Sequence, residues 1–222
     1  AEVVAGQLER ATALLIGPGF GLEDTTGEFL SRLLTAPTRH ASGKIGFARA
    51  AAEPAPRDNP RIPPLVVDAD GLKLLKRIPD WPAHLPAETI LTPHPGEMSI
   101  LSGLTKEEIQ ADRLEIARKF SREWGQIVVL KGAFTIIAAP DGEAAIISVA
   151  TSALARAGTG DVLAGLIVGL RAQGMPAFAA AVAGAWIHAQ AGLMAAEGLG
   201  NTASVLAGDV LHASIDVISS LQ

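Results

Sequence analysis

Four short apolar segments, each ending in a turn rich in glycine, proline or acidic residues, constrain the fold of this chain more than any other feature. They are almost uninterrupted by polar residues, a pattern typical of strands buried on both faces. The four segments are residues 13–16, 65–67, 89–91 and 127–130. Stretches with helical spacing of apolar residues, such as residues 23–34, lie between them. This alternation predicts an α/β fold, with a mainly parallel sheet covered by helices on both faces.

The remaining segments extend this pattern. Thr105 to Glu108 matches a capping box, so we expect one helix from Thr105 to about Phe120. A turn at residues 140–142 predicts a β-hairpin between two apolar runs. The hairpin strands are residues 134–138 and 145–149, a helix follows from residue 96 or 97 to 102, the C-terminal helices are residues 161–172, 176–197 and 207–220, and residues 39–64 read as a long exposed loop.

Composition excludes several classes of protein. Hydrophobic residues make up 49% of the 222 residues, which is ample for a core. The net charge is −5 and the basic residues form no run, which argues against a nucleic-acid partner. Without cysteine there is no disulfide framework, and we expect a cytoplasmic protein. The uncharged stretch between Arg171 and Glu197 contains His188 and Gln190, so a buried helix is favoured over a membrane span. His188 itself is interpreted as a core histidine.

Four unusual motifs each follow a predicted strand directly. Ligands of parallel sheets bind beyond the carboxyl ends of the strands, so we expect the site at that edge. The motifs are residues 17–21 (GPGFG), 68–70 (DAD), 92–97 (TPHPGE) and 131–133 (KGA). The glycine-rich turn either approaches a flat ligand or is simply a tight turn.

The segment Gly158-Thr159-Gly160-Asp161 precedes an apolar helical pattern. Glycines at a helix start let a ligand approach the backbone, and the unpaired N–H groups of the first turn bind anions. A carboxylate beside a phosphate makes sense if it accepts a proton from an attacking hydroxyl. Asp161 is therefore either a catalytic base or a helix cap.

The other polar residues at this edge also allow two interpretations. Asp68 and Asp70 point the same way if the chain is extended, which suits a hydrated Mg²⁺, unless one of them caps the next helix. His94 lies between two prolines, and that rigidity favours a ligand contact. Glu97 either complements the helix dipole or reaches a metal-bound water. Lys131 either meets a nucleotide phosphate or is a solvated lysine.

Together these motifs resemble the NAD(P)H-hydrate dehydratase family of the ribokinase-like superfamily. The matching segments are residues 17–21, 68–72, 92–97, 130–133, 158–165 and 207–211. The Thr-Pro-His-Pro-Gly-Glu block is the most specific of them, whereas Gly-x-Gly-Asp occurs in many small-molecule kinases. The resemblance implies a ribokinase-like three-layer α/β/α sandwich.

The resemblance also implies a repair reaction, in which ADP or ATP drives dehydration of the hydrated cofactors NADHX and NADPHX. Asp161 would deprotonate the C6 hydroxyl, and Mg²⁺ would bridge phosphates, with Glu97 acting on the metal only through water. The implied substrate-binding residues are Gly19, Gly21, His94 and Asp161. The implied nucleotide-binding residues are Lys131, Gly132, Ala133, Phe134, Thr135, Gly158, Thr159 and Gly160. The implied assembly is a homo-oligomer, with no nucleic-acid or membrane partner.

One departure from the family pattern concerns the N-terminus. Family members carry a further strand–helix unit before the Gly-Pro-Gly loop, whereas 16 residues precede Gly17 here. We therefore expect residues 1–222 to form a single dehydratase domain that lacks its N-terminal part. Two alternatives stay open: a kinase of a small alcohol, such as a vitamin precursor or a sugar, and a catalytically silent nucleotide-binding module.

Overall fold

A six-stranded sheet forms the centre of the computed structural model, which describes residues 1–8, 10–35 and 62–221. The strands are β1 (Leu14–Ile16), β2 (Leu65–Val67), β3 (Ile90–Leu91), β4 (Ile127–Leu130), β5 (Ile136–Ala138) and β6 (Ala144–Ile146), and they lie side by side in chain order. The first four are parallel, while β5 and β6 form an antiparallel hairpin. The predicted mainly parallel sheet is confirmed.

Helices connect the parallel strands and complete the fold. They are α1 (Glu2–Leu8), α2 (Asp24–Thr35), α3 (Asp70–Leu75), α4 (Pro95–Ser102), α5 (Lys106–Ala111), α6 (Arg113–Trp124), α7 (Thr159–Ala172), α8 (Ala177–Leu199) and α9 (Ala207–Ser219). Two short 3₁₀ helices, Trp81–His84 and Ser152–Leu154, lie within the connections. Most predicted helices are confirmed to within about two residues, the usual uncertainty of helix ends.

Strands β2, β3 and β4 bury both faces, because alternate residues enter different hydrophobic clusters. Leu65 and Val67 of β2 pack with α2, α3, α4 and α6, whereas Val66 packs with α7 and α8. The same alternation occurs along β4. Helix α9 packs mainly on α8 through a third cluster that includes Val210 and Val217. The layers are therefore helices, sheet and helices, as the sequence pattern predicts.

Helix α8 forms part of the interior of this sandwich. Its length and composition would by themselves suffice to cross a membrane, but 56% of its most apolar window is buried within the fold. Because small alanine and glycine side chains predominate, α8 can approach α7 closely. A Cβ at Gly184 would lie 2.6 Å from Ile167 Cγ1 and could not be accommodated without a shift. The predicted buried helix is confirmed.

Three sequence predictions need correction. The expected single helix after Thr105 is divided at Asp112, whose non-helical backbone ends α5 and whose carboxylate caps α6 by accepting from Glu115 N–H. The hairpin strands are displaced, because Phe134 has a positive φ of 54° and belongs to the preceding turn. Of the predicted exposed loop, residues 39–61 lie outside the described residues. Its end is not exposed, since Ile62 and Pro63 are buried.

Candidate functional site

The backbones at the ends of β1 and β2 approach each other closely. Gly17 has a φ of +122°, and a Cβ there would lie 1.8 Å from the carbonyl oxygen of Asp68. Gly71 lies on the other side of this approach, and a Cβ there would lie 3.0 Å from Gly17 Cα. Gly17 is therefore required by packing, whereas Gly19 is exposed and has open space around it.

Asp68 and Asp70 do not point the same way, in contrast to the prediction. Ala69 between them has a positive φ of 50°, so the chain is not extended there. Asp70 accepts hydrogen bonds from Gly21 N–H and Lys73 Nζ, whereas Asp68 accepts from Lys131 Nζ, directly after β4. Neither caps a helix, because the N-cap of α3 is Ala69 and no side chain bonds there. The hydrogen bond from Lys73 lowers the pKa of Asp70 and keeps that carboxylate charged.

Lys131 joins the ends of β2 and β4 to the start of α4. Its Nζ lies 2.7 Å from Asp68 Oδ1 and 3.7 Å from Glu97 Oε2. The Lys131 side chain is 17% exposed, and those of Asp68 and Glu97 are 1% and 5% exposed. The alternative of a solvated lysine is therefore wrong. Because one cation faces two carboxylates, the cluster carries a net negative charge in a largely buried place, and a further cation would be favoured there.

His94 is the N-cap of α4, a role that sequence reasoning missed. Its Nδ1 accepts hydrogen bonds from the N–H groups of Gly96 and Glu97, and Glu97 Oε2 accepts in turn from His94 N–H. Histidine is not among the preferred caps, so residue type gave no signal. The usable signal was Pro95 at the first helical position with Glu97 two residues later.

The cap fixes the protonation of His94. Because Nδ1 accepts two hydrogen bonds, the ring proton sits on Nε2, which lies 3.4 Å from Glu97 Oε1. Burial lowers the pKa of His94, Lys131 and Lys73 lower it further, and Glu97 opposes them. The neutral ring thus presents an exposed edge beside the Lys131–Glu97 cluster.

Helix α7 begins against the same cluster. Its N-cap is Gly158, with a φ of +86°, and a Cβ on Gly160 would lie 3.5 Å from Lys131 Nζ. The N–H groups of Gly160 and Asp161 form no hydrogen bond to another described residue. Asp161 is the third residue of the helix, is exposed and makes no cap. The alternative of a helix cap is therefore wrong, and the first turn can receive an anion.

A pocket of about 460 Å³ opens between the β4–β5 turn and the start of α7. Six of the eight predicted nucleotide-binding residues line it: Lys131, Gly132, Ala133, Thr135, Thr159 and Gly160. Its apolar walls come from residues outside the sequence motifs, among them Ile147, Val149, Leu163, Ala185 and Ala189. Phe134 and Gly158 do not line it. An apolar cleft with a cation and a helix N-terminus at one end suits a ligand with a flat apolar part and an anionic part.

His188 of α8 also lines this pocket. It is 8% exposed, in agreement with the prediction of a core histidine, but it is not fully satisfied. Its Nε2 is buried and has no hydrogen-bond partner among the described residues. Burial lowers the pKa of His188 to about 4, although a hydrogen bond to the Thr159 backbone acts in the opposite direction. The ring is therefore neutral near pH 7.

The predicted substrate residues lie around the same sheet edge but are not brought into one enclosed cavity. Gly21 N–H donates to Asp70, whereas His94 belongs to the cap of α4 beside Glu97. Gly19 lies on a shallow apolar groove of about 430 Å³ with Phe20, Thr25, Thr26 and Phe29.

Comparison with known proteins identifies the family to which this sequence belongs. The family model for NAD(P)H-hydrate dehydratase matches residues 47–215. A curated relative from Moorella thermoacetica, the bifunctional NAD(P)H-hydrate repair enzyme Nnr, is 38% identical over 97% of this chain and 36% of its own length. The ADP-dependent (S)-NAD(P)H-hydrate dehydratase of Neisseria meningitidis is 43% identical over 68% of this chain and 52% of its own. The chain thus spans between a third and about half of these relatives.

Solved structures agree on the fold. The ADP/ATP-dependent NAD(P)H-hydrate dehydratase of Bacillus subtilis, co-crystallised with ATP and Mg²⁺, superposes with a TM-score of 0.71 at 27% identity, covering 95% of this chain and 67% of that one. A ribokinase-like superfamily protein from Enterococcus faecalis gives a TM-score of 0.74 at 23% identity, covering 99% and 66%. The expected ribokinase-like α/β fold is confirmed.

Proposed function

The chain belongs to the NAD(P)H-hydrate dehydratase family, and from this premise we propose that it uses ADP or ATP to dehydrate NADHX and NADPHX to NADH and NADPH. The observation that carries the proposal is the pocket between Lys131 and the first turn of α7, with exposed Asp161 beside it. An adenine nucleotide would lie in this pocket, with its base on the apolar walls and its phosphates toward Gly160.

The reaction has two steps, a phosphoryl transfer and an elimination. Asp161 accepts the proton of the C6 hydroxyl, and the hydroxyl oxygen forms a bond to the terminal phosphorus while the bond from that phosphorus to the bridging oxygen breaks. ADP then leaves as AMP, or ATP as ADP. The free N–H groups at the start of α7 stabilise the charge that develops.

Elimination completes the reaction. Phosphate leaves C6 with the electrons of the carbon–oxygen bond, pushed by the lone pair of the ring nitrogen, and a proton is lost from C5. In this proposal Gly19, Gly21 and His94 contact the hydrated cofactor. Lys131 to Thr135 and Gly158 to Gly160 hold the nucleotide.

The chemistry of the site also fits a hydrated Mg²⁺. In the described part of the chain no three acidic or histidine side chains group to hold a metal by themselves, so phosphates and water would supply most ligands. Asp68 and Glu97 would hold the ion, Glu97 through water, beside Lys131. When bound, Mg²⁺ would neutralise phosphate charge.

We also propose a cytoplasmic homo-oligomer in which residues 1–222 act as one domain. Exposed apolar side chains lie on two packed helices: Trp186 and Met194 on α8, and Leu211, Ile215 and Ile218 on α9. The last three share one face of α9 by helical spacing. A second copy of the chain would remove this surface from water.

A turnover assay tests the function. NADHX is supplied with ADP and with ATP in parallel, and recovery of NADH absorbance is followed together with release of AMP or ADP. We expect NADH to form only with nucleotide present. A stable phosphorylated alcohol would indicate a kinase instead, and nucleotide binding without turnover would indicate a silent module.

A further inference from the structure

Arg113, the first residue of α6, binds the turn between β4 and β5 from outside the pocket. Its Nη2 donates to the carbonyl oxygens of Leu130 and Lys131 at 3.1 and 3.3 Å, and its Nη1 donates to that of Ala133. It belongs to none of the motifs, yet two of its three acceptors, Lys131 and Ala133, are predicted nucleotide-binding residues, and the third, Leu130, precedes them directly.

The guanidinium acts on this backbone and not on an acid. Within the described residues Arg113 forms no ion pair with Asp or Glu, and burial lowers its pKa. Hydrogen bonds from a charged donor are stronger than those between neutral groups, especially in a partly buried place. Position 132 is adapted to this contact, since a Cβ on Gly132 would lie 2.8 Å from Arg113 Nη2.

By fixing carbonyl groups on one side of the turn, Arg113 also orients the N–H groups on the opposite side. In a trans peptide the C=O and the following N–H point in opposite directions. The three carbonyls that accept from Arg113 are followed by the N–H groups of Lys131, Gly132 and Phe134. Two of these N–H groups donate within the protein, that of Lys131 to the Pro93 carbonyl and that of Phe134 to the Val149 carbonyl. The third, Gly132 N–H, has no partner among the described residues, and Gly132 lines the pocket.

We propose that Arg113 is a positioning residue for the nucleotide, which holds the Lys131–Gly132 peptide so that Gly132 N–H donates to an oxygen of the bound nucleotide. This inference rests on the proposed adenine-nucleotide site. It adds to that site a residue on a different helix, which never touches the ligand.

Calorimetric titration of ADP into the wild type, Arg113→Ala, Arg113→Lys and Arg118→Ala tests it. Arg118 lies on the same helix and pairs with Glu115, so it is a matched control. We expect Arg113→Ala to weaken ADP binding about tenfold or more, because an anchored donor is lost. The dissociation constant for ADP of Arg118→Ala should stay within about twofold of the wild-type value. The KM of Arg113→Ala for NADHX should also change by less than about twofold. Added guanidinium ion should restore ADP binding to Arg113→Ala but leave Arg118→Ala unaffected.

NMR supplies a reading that a merely structural role would not change. In ¹⁵N spectra, ADP should shift the Gly132 amide of the wild type much more than that of Arg113→Ala. If Arg113→Ala does not fold, Arg113→Lys decides, because an ammonium cannot span the three carbonyls. ADP binding within about twofold of wild type in either folded variant, or equal losses in Arg113→Ala and Arg118→Ala, would overturn the inference. A wild type that binds no ADP would instead refute the proposed nucleotide site.

Discussion

Lys131 Nζ and Asp68 Oδ1, which belong to residues 63 positions apart in the sequence, lie 2.7 Å apart at the carboxyl ends of β4 and β2. The pair is shared with Glu97 and lies against Gly160, so it joins the ends of the strands to the start of α7. Lys131 therefore has a structural task before any ligand arrives.

Breaking this pair should destabilise the fold. We expect Asp68→Asn and Lys131→Met each to lower the free energy of unfolding by about 3 kcal/mol, because a buried charge is left without its partner. The double variant should lose less than the sum, with a coupling of about 1 kcal/mol or more. Urea unfolding followed by circular dichroism measures all three. The exposed Arg32–Glu28 pair is the control, with an expected coupling below about 0.5 kcal/mol. Additive losses at Asp68 and Lys131 would contradict the prediction.

Asp161→Asn should separate chemistry from binding. The amide keeps the size of the side chain but cannot accept the proton of the C6 hydroxyl, so NADHX turnover should fall at least about a hundredfold. The dissociation constant for ADP should stay nearly unchanged. Asp216→Asn, at an exposed position on α9, should have wild-type turnover. Retention of about a tenth of the activity, or more, in Asp161→Asn would exclude a base of the usual catalytic effect.

Substitution of His94 distinguishes its cap from its proposed substrate contact. His94→Ala should lose about 1 kcal/mol of stability, because the N–H groups of Gly96 and Glu97 lose their acceptor. His94→Asn should recover most of that loss, since asparagine is a good cap. Both variants should have a raised KM for NADHX. If His94→Asn restores KM together with stability, His94 acts on the helix alone.

Stability should fall with acidification because of His188. Its folded pKa is about 4, below the ordinary 6.5, so the unfolded chain binds more protons between these values. The contribution of the neutral ring is complete above pH 6.5, is lost as pH falls toward 4, and is on the order of 3 kcal/mol. The free energy of unfolding, measured with urea at several pH values in this range, should depend less on pH in His188→Asn than in the wild type. The exposed His212→Asn should have the same pH dependence as the wild type. Parallel curves for wild type and His188→Asn would refute the prediction.

The apolar face of α9 should control assembly. We expect the wild type to sediment as a multiple of the 22.8 kDa chain and Ile215→Glu to sediment as a single chain, because the charge cannot be buried in an apolar interface. Gln110→Glu, which introduces the same charge at an exposed position on α5, should assemble as the wild type does. A wild-type mass of one chain in analytical ultracentrifugation would exclude this assembly.

The sequence predicted the positions of the buried strands well, but not every end of a strand or helix. Continuous apolar runs predicted buried strands such as β2 and β4, and the hairpin turn at residues 140–142 forms as expected. The start of β5 was misplaced because nothing in the sequence indicated the positive φ of Phe134. The break at Asp112 was missed because the capping box at Thr105 and the apolar periodicity beyond it suggest one continuous helix.

The sequence by itself determined the layers of this protein and the edge at which its unusual motifs meet, because side-chain periodicity and turn chemistry are local properties. Only the tertiary structure decided the roles of particular side chains. The positive φ of Ala69 turns Asp68 and Asp70 in different directions. Lys131 lies beside two carboxylates, and His94 caps α4. Arg113 likewise met three carbonyl groups about 20 residues away. Charges and hydrogen bonds act over a few ångströms between residues distant in the chain, so their partners are fixed only when the strands are in place.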